Sequence, residues 1–303
     1  MAYLADLTLR LNLAARQLPE DLRRRHVDFL AAQQRPDGGF AGREGDSDLY
    51  YTGFALRGLA LLNALDRHRA ERTGEFLRTH LDHEMPLVDF LSLLFGVFLI
   101  GASTGIDLMA DRDDQWLRQV DAHLEQFRRS DGGYARTKEG ASSSTYHTFL
   151  VAITREMLGL PLTAPERLAR FVVDRRREDG GFVEIGPMRR SGTNPTAAAI
   201  AVLKMAGGLE EPIRRTAIGF LTGMQTDQGG FLANTRIPLP DLLSTYTAVQ
   251  TLIDLETPHD FRHPSMADYL GGLEAPDGGF RAAVWDDATD VEYTFYGVAT
   301  WAL

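Results

Sequence analysis

The sequence predicts an all-α protein in which six helix pairs close into a ring, a barrel with an outer and an inner layer of helices. Three observations predict this fold. An Asp-Gly-Gly-aromatic turn recurs about every 49 residues, an amphipathic helical pattern precedes each turn, and an apolar helical pattern opened by a threonine follows it. The fold class therefore follows from periodicity.

The Gly-Gly turn sets the register of the repeat. Its first glycines are 94, 48, 49 and 49 residues apart, and 94 is close to twice 47. One repeat between Gly38 and Gly132 has therefore lost its glycines and kept its length. The copies are Asp37-Gly38-Gly39-Phe40, Asp131-Gly132-Gly133-Tyr134, Asp179-Gly180-Gly181-Phe182, Asp277-Gly278-Gly279-Phe280 and, with one inserted residue, Asp227-Gln228-Gly229-Gly230-Phe231.

Each turn joins two different helices. The first is amphipathic, as in residues 21–30 with apolar Leu22, Phe29 and Leu30 between charges, and is predicted to form the outer layer. The second is nearly uncharged and is predicted to form the buried inner layer. Its opening threonine follows the first glycine by 14, 13, 16, 16 and 16 residues, at Thr52, Thr145, Thr196, Thr245 and Thr294. The predicted pairs are 18–34 with 48–63, 66–80 with 86–102, 112–129 with 143–158, 164–177 with 193–206, 211–225 with 241–255, and 262–273 with 290–303.

Closure of the ring is predicted because an open stack of helix pairs would expose apolar faces at both ends. We therefore expect a single domain over residues 1–303.

Composition excludes several classes of function. The net charge of −10 disfavours nucleic-acid binding, and the absence of cysteine excludes disulfides, thiolate zinc ligands and a cysteine nucleophile. Residues 1–18 lack the features of a signal peptide. The apolar run from Leu87 to Ala102 is 16 residues long and contains Asp89, so it is predicted to be a buried helix and not a membrane span. We expect a cytoplasmic protein.

The repeat of Gln-x-Asp-Gly-Gly-Phe, a polar loop and Thr-x-x-Ala-Leu/Val resembles that of prenyltransferase β-subunits and squalene (terpene) cyclases, from Pro19 to Leu303. The resemblance implies an (α/α)6 toroid, a closed double-layer helical barrel that binds an isoprenoid in a central cavity. The resemblance also implies that the chain assembles with a helical partner subunit, and a homo-oligomer is the alternative assembly.

Zinc is not expected. The resemblance to protein prenyltransferases implies zinc ligands at three positions that are occupied here by Leu242, Ser244 and Tyr293. Thiol prenylation by that metal is therefore disfavoured.

Two acidic patterns are candidates for alkene protonation. Asp111-Arg112-Asp113-Asp114 matches the Asp-x-Asp-Asp of class II cyclases, but it precedes an outer helix and is interpreted as helix-start acids. At the offset that the resemblance implies, four and two residues before Thr294, stand Asp290 and Glu292. Glu292 is the predicted general acid and Asp290 its partner. The alternative is that Asp290 is only a helix N-cap, like Asp48 and Asp241.

Candidate diphosphate ligands come in two sets. Asp286 and Asp287 begin an Asp-Asp-x-x-Asp pattern similar to those that bind magnesium in isoprenoid enzymes, so magnesium is a candidate cofactor. Arg189, Arg190 and Arg236 lie near positions where prenyltransferases place cations, although Asn234 replaces one of them. Solvated surface charge is the alternative for the arginines.

Aromatic residues gather where the inner helices begin, and π-faces stabilise carbocations and contact isoprenoid chains. Core packing is the alternative for each. The predicted substrate-binding residues in this set are Tyr50, Tyr51, Tyr146, Tyr246, Tyr293 and Tyr296, together with Asp48 and His147.

The function predicted is an isoprenoid-processing enzyme, a carbocation cyclase or isomerase that uses Glu292 and Asp290. Three alternatives remain open. They are zinc-independent prenyl transfer to a small molecule, a non-catalytic toroid that binds a hydrophobic ligand or a partner, and an (α/α)6 glycosidase. The glycosidase would need two carboxylates about 5.5 Å or about 6.5–9.5 Å apart.

Overall fold

The computed structural model describes residues 3–257 and 263–303, and in this part of the chain the regular structure is almost entirely helical. The helices are α1 (Tyr3–Ala15), α2 (Glu20–Ala32), α3 (Leu49–Leu61), α4 (Arg67–Arg78), α5 (Leu87–Thr104), α6 (Asp114–Glu125), α7 (Thr145–Met157), α8 (Pro165–Val173), α9 (Thr193–Met205), α10 (Glu211–Thr222), α11 (Leu242–Asp254), α12 (Met266–Leu273) and α13 (Val291–Ala302). The short strands are β1 (Tyr134–Ala135), β2 (Ser143–Ser144), β3 (Phe280–Arg281) and β4 (Thr289–Asp290).

The six predicted helix pairs are confirmed as α2–α3, α4–α5, α6–α7, α8–α9, α10–α11 and α12–α13. Helix α1 was not predicted. The sixth outer helix was predicted to start at residue 262, which lies outside the described residues, and α12 begins at Met266.

The chain divides into two compact units. The central unit comprises residues 1–7 and 113–266, and the terminal unit comprises residues 8–112 and 267–303. The terminal unit therefore combines the first two helix pairs with the sixth. The prediction of a single domain remains a prediction.

A Gly-Gly turn packs its helix pair on the outer helix of a neighbouring pair. Gly38 has φ +91°, and a Cβ there would lie 2.2 Å from the carbonyl oxygen of Arg72 in α4. In the central unit, a Cβ on Gly180 would lie 2.5 Å from the carbonyl oxygen of Thr216 in α10. Glycine is required at both positions because the conformation and the contact both exclude a side chain.

The sixth pair packs on the first within the terminal unit. A Cβ on Gly278 would lie 2.5 Å from the carbonyl oxygen of Arg25 in α2. The buried His26 places Nδ1 2.6 Å from the carbonyl oxygen of Gly278. Helix α13 also packs on α3. The last helix pair thus contacts the first directly, as the predicted ring requires.

The repeated threonine fixes the start of the inner helix to the turn. The hydroxyls of Thr52, Thr196, Thr245 and Thr294 accept hydrogen bonds of 2.9–3.1 Å from the backbone N–H of the turn aromatic residue. In the third repeat the same bond is made by Thr148, at 2.9 Å from the N–H of Tyr134. The prediction of Thr145 was therefore wrong, and the third offset is 16 residues, as in the later repeats. The hydroxyl of Thr145 instead donates to the carbonyl oxygen of Val183.

A short antiparallel pairing brings the turn aromatic residue opposite the residue that caps the inner helix. The five pairs are Phe40 with Asp48, Tyr134 with Ser144, Phe182 with Gly192, Phe231 with Asp241, and Phe280 with Asp290. The loop between the two partners is two residues shorter in the first repeat, which explains its offset of 14 residues.

Helix α5 was predicted to be a buried inner helix. By length and composition it could also span a membrane, because its mean hydropathy is 2.0 over 18 residues. It packs on α3 and α4, and 44% of it is buried. This packing is that of a core helix.

Candidate functional site

The N-termini of α3 and α13 form the candidate site in the terminal unit. Asp48 caps α3 by accepting the N–H of Tyr51 at 2.7 Å, and Asp290 caps α13 by accepting the N–H of Tyr293 at 2.9 Å. Asp241 caps α11 of the central unit in the same way, from the N–H of Ser244 at 2.7 Å. The N-cap interpretation of all three aspartates is confirmed, so any chemical role of Asp290 is additional to capping.

Asp290 differs from the other caps in its ion pair with Arg43. Arg43 Nε donates to Asp290 Oδ2 at 3.0 Å, and Arg43 Nη1 donates to Asp286 Oδ1 at 2.9 Å. The side chain of Asp290 is almost fully buried, and this burial raises the pKa of its carboxyl above the ordinary value, although the N–H of Tyr293 and Arg43 oppose the shift. Arg43 lowers the pKa of the more exposed Asp286.

Glu292 is the buried carboxyl of the site, with 9% of its surface exposed. Its Oε1 accepts a hydrogen bond from the hydroxyl of Tyr50 at 2.6 Å. Burial raises the pKa of Glu292, and the negative charge of Asp290 raises it further, while hydrogen bonds from Tyr50 and Tyr296 lower it. The net shift favours a carboxyl that keeps its proton.

Tyr50 and Tyr296, which hydrogen-bond this carboxyl, belong to an aromatic cluster. Phe54 is at its centre, with ring centroids 5.0 Å from Tyr50, 5.2 Å from Tyr296 and 5.8 Å from Phe295. The ring contacts are edge-on or tilted, which are the favoured arrangements of aromatic pairs. We call Tyr50, Phe54, Phe295 and Tyr296 the aromatic cluster.

Two further tyrosines border the cluster. Tyr51 contacts the ring of Tyr50 at 5.3 Å, and Tyr293 contacts that of Tyr296 at 6.1 Å. Burial raises the pKa of Tyr51, and the negative charges of Asp290 and Glu292 raise it further. The terminal unit therefore brings together seven predicted site residues, namely Asp48, Tyr50, Tyr51, Asp290, Glu292, Tyr293 and Tyr296.

Two arginines of this site were missed by the sequence analysis. Arg43 lies in a polar loop with no distinctive pattern, and only the fold brings it to Asp290. Arg57 lies in α3, with its guanidinium carbon 4.7 Å from the ring centroid of Phe54 and 4.1 Å from that of Phe95. The sequence could have singled out Arg57, because it is the one charged residue in the otherwise uncharged α3.

The structure pairs one of the two predicted magnesium ligands with an arginine. Asp286 is bound to Arg43, and Asp287 is exposed on the same loop. Among residues 3–257 and 263–303, no group of three or more His, Asp or Glu side chains is arranged to hold a metal ion. Magnesium binding by Asp286 and Asp287 stays a prediction, as does the absence of zinc.

In the central unit, Tyr146 and His147 begin α7 with ring centroids 5.6 Å apart. His147 Nδ1 lies 2.9 Å from the hydroxyl oxygen of Ser144, the N-cap residue. Burial and the nearby Arg136 lower the pKa of His147 to about 4, so its imidazole is neutral at pH 7.

The other predicted residues of the central unit lie on other helices and loops. Arg189, Arg190 and Arg236 are exposed, and Arg190 donates to the hydroxyl of Thr235 at 3.2 Å. Tyr246 is buried in α11. The Asp111–Asp114 motif supplies a cap to α6, because Asp113 accepts the N–H groups of Gln115 and Trp116 at 3.0 Å. The interpretation of that motif as helix-start acids is confirmed.

Comparison with known proteins identifies the repeat. The prenyltransferase alpha-alpha toroid domain matches residues 2–183, 109–213 and 195–303, which together cover nearly the whole chain. No curated protein matches the chain in sequence. The predicted (α/α)6 toroid fold class is thereby confirmed.

Three similar solved structures share this fold at low identity. Candida albicans protein geranylgeranyltransferase-I complexed with GGPP has 16% identity, covers 92% of this chain and 90% of its own, and gives a TM-score of 0.73. A variant of the type II terpene cyclase MstE from Scytonema, in complex with geranylgeranyl dihydroxybenzoate as substrate, has 15% identity, 98% coverage of both chains and a TM-score of 0.66. A glycosidase in complex with glucose has 12% identity, covers 97% and 96%, and gives a TM-score of 0.61. Because these proteins differ in activity, the likeness shows the fold alone.

Proposed function

The chain belongs to the prenyltransferase alpha-alpha toroid domain family, and we propose that it is an isoprenoid-processing enzyme that starts carbocation chemistry with a proton from Glu292. The observation that carries this proposal is the environment of Glu292. Its carboxyl is buried beside the aromatic cluster, and burial holds its pKa above the ordinary value. General acid catalysis requires a carboxyl that keeps its proton at the working pH.

The reaction is an isomerisation, so the substrate and the product have the same molecular formula. Glu292 gives its proton to one carbon of an alkene, so a C–H bond forms and positive charge develops on the other carbon. A second alkene of the chain supplies its π electrons to that carbon, which forms a C–C bond and closes a ring. A carbon next to the final cation then loses a proton to water, and its C–H electrons form the new alkene. The Glu292 carboxylate takes up a proton from water, which restores the acid.

The residues around Glu292 have separate parts in this chemistry. The hydroxyl of Tyr50 binds Oε1, and Tyr296 also donates a hydrogen bond to Glu292, so the two tyrosines orient the carboxyl. Rings of the aromatic cluster stabilise the cation through their π-faces. The negative charge of Asp290 raises the pKa of Glu292 and so helps it to keep its proton, while Arg43 holds Asp290 in place. Two fold relatives that hold geranylgeranyl groups support the choice of substrate class.

The test is turnover by Glu292→Gln, because glutamine keeps the shape of the side chain and loses the proton. Wild type and variant are incubated with geranyl, farnesyl and geranylgeranyl diphosphates and with squalene, with and without magnesium, followed by product analysis. We expect at least ~10²-fold loss of turnover with nearly unchanged binding. Leu243→Gln is the matched control, since it places the same amide two residues before Thr245 in the central unit. Full activity of Glu292→Gln would refute the acid role.

The same experiment separates the alternatives. Release of diphosphate that requires magnesium and fails in Asp286→Asn and Asp287→Asn would favour prenyl transfer. Tight binding without turnover in wild type would favour a non-catalytic toroid. Asp290→Asn keeps a capping side chain and removes the charge that raises the pKa of Glu292, so its turnover should fall less than that of Glu292→Gln.

A further inference from the structure

The carbonyl oxygen of the turn glycine has a different hydrogen-bond donor in the sixth repeat. In the first repeat, Gln34 Nε2 donates to the carbonyl oxygen of Gly38, four residues later, at 3.1 Å. In the fifth repeat, Gln225 Nε2 donates to that of Gly229 at 3.2 Å. The equivalent residue of the sixth repeat is Glu274, and an ionised carboxylate has no hydrogen to donate.

His26 of α2 supplies the donor for the sixth turn. Its imidazole is fully buried, and Nδ1 lies 2.6 Å from the carbonyl oxygen of Gly278. Because a carbonyl oxygen only accepts hydrogen bonds, Nδ1 carries a hydrogen whether or not the ring is charged. A change of protonation therefore takes place at Nε2. We call the contact of α2 with residues 274–280 the seam.

The surroundings of Nε2 disfavour a charge on the ring. Among the residues that the structure describes, Nε2 has no hydrogen-bond partner, and Glu274 Oε1 lies 3.9 Å away. That oxygen forms an ion pair of 2.8 Å with Arg25 Nη2. Burial lowers the pKa of His26, and the charge of Arg25 adds to this shift, while the bond to Gly278 and the charge of Glu274 oppose it. The imidazole is therefore neutral in the folded protein at pH 7.

The seam is connected to the candidate site within the terminal unit. The ring of His26 packs on Phe280 at a centroid distance of 5.2 Å, and Phe280 pairs with Asp290, the cap of α13. Glu292 follows two residues later and accepts the hydrogen bond from Tyr50 of α3. One strand pair thus joins the seam to the buried carboxyl.

We propose that His26 is a pH-dependent switch of the seam: the neutral ring closes it, and a proton on Nε2 loosens it and separates Tyr50 from Glu292. Protonation places a charge on a fully buried ring, next to the positive charge of Arg25. This inference goes beyond the proposed function and does not depend on whether Glu292 acts as an acid.

The direction of the pH effect follows from the lowered pKa of His26. The neutral ring contributes stability that is complete above the ordinary pKa of 6.5. This contribution is lost as the pH falls from there through the lower pKa of the folded state. Acid should therefore open the seam.

The test follows backbone hydrogen exchange by mass spectrometry between pH 8 and pH 5, in peptides from α2, the sixth turn and the start of α13. Wild type is compared with His26→Asn at each pH, so that the intrinsic pH dependence of exchange and the titration of Glu292 cancel. The asparagine amide can donate to Gly278 from the position of Nδ1, and it does not titrate. The protection of wild type relative to His26→Asn should fall at least ~5-fold from pH 8 to pH 5.

Two further variants sharpen the test. His68→Asn removes an exposed imidazole from α4 in the same unit, and its protection should follow that of wild type. Glu274→Gln restores the residue of the first and fifth repeats and removes a negative charge that favours the protonated ring. Its protection should fall more steeply with acid than that of wild type, which tests the proposal even if His26→Asn does not fold.

Three results would overturn the proposal. In the first, the ratio of wild type to His26→Asn stays constant from pH 8 to pH 5. In the second, the ratio rises as the pH falls, which would mean that the protonated ring closes the seam by binding Glu274. In the third, peptides from α9 in the central unit lose the same protection, which would indicate a loss of global stability. Turnover by Glu292→Gln decides the acid role separately.

Discussion

The repeats of the central and terminal units share the same turn, threonine and cap, but the side chains around the cap differ. In both, a turn glycine packs on an outer helix, a threonine hydroxyl accepts the N–H of the turn aromatic residue, and a cap residue lies opposite that aromatic residue. The difference lies two residues after the cap. That position is Leu243 in α11 and Glu292 in α13.

The cap residues show which features carry information about function. Burial raises the pKa of Asp241 in the central unit and of Asp290 in the terminal unit, so a buried acidic cap alone does not mark a site. What distinguishes Asp290 is Arg43 on one side and Glu292 on the other. The repeated residues therefore build the fold, and the residues that break the repeat are those to which we assign the proposed chemistry.

The largest expected effect comes from moving the acid between the units. In the double variant Glu292→Gln with Leu243→Glu, the carboxyl takes the equivalent position of α11 without Tyr50 as its partner. We expect turnover to stay at least ~10²-fold below that of wild type, because a general acid must be positioned against its substrate. Product analysis with the best wild-type substrate measures this. Recovery of activity would show that the two positions are equivalent after all.

Glycine substitutions test whether the turn glycine has the same structural role in both units. Gly38→Ala and Gly180→Ala should each lower the free energy of unfolding by about 2–5 kcal/mol, since each combines an unfavourable backbone conformation with a steric clash. Gly45→Ala is the matched control, because its φ is +92° and a Cβ there would have no atom within 4 Å. It should cost only about 1–2 kcal/mol. Urea unfolding of the three variants gives the comparison, and equal losses at Gly38 and Gly45 would contradict it.

The threonine register is the next prediction. Thr148→Val and Thr294→Val should each cost about 1–3 kcal/mol, because each leaves a buried backbone N–H without its acceptor. Serine at either position should restore most of the loss. Denaturant midpoints measure the effect, and an unchanged midpoint in Thr148→Val would contradict the corrected register.

The smallest effect concerns stability and pH. The folded pKa of Glu292 is raised above its ordinary value of 4.5, so the folded state binds this proton more tightly than the unfolded state. Its contribution to stability is complete below pH 4.5 and is lost as the pH rises through the folded pKa. Glu292→Gln should therefore gain in melting temperature relative to wild type as the pH is raised from 4 to 8. Leu243→Gln should show no such trend, and a flat difference for Glu292→Gln would contradict the shifted pKa.

The fold was predictable because its information is local and repeated. Five turn copies and the alternation of charged and apolar helices located six helix pairs, whose observed bounds agree within a few residues. The one wrong threonine, Thr145, followed from two threonines three residues apart at the start of α7. Applying to the third repeat the loop length shared by the fourth, fifth and sixth would have selected Thr148.

The site was only partly predictable because its contacts are long-range. Glu292 and Asp290 were selected as candidates from their offset to Thr294, and the structure places them next to Tyr50 and Arg43. Arg43 could not be found in this way, since its ion pair with Asp290 joins residues 247 positions apart and depends on how the sixth pair packs on the first. In the sequence, Arg189 and Arg236 cannot be distinguished from Arg43, because all three lie in polar loops. Only the structure shows that Arg43 contacts a carboxylate and that Arg189 and Arg236 are exposed.

The hydrogen bond between Tyr50 and Glu292 has a consequence for synthesis on the ribosome. Its two residues are separated by 242 positions, so at about 5–20 residues per second the glutamate is translated roughly 12–50 s after the tyrosine. During that interval α3 has been translated but α13, the helix on which it packs, has not. The hydrogen bond between Tyr50 and Glu292 therefore cannot form before the sixth helix pair has been synthesised.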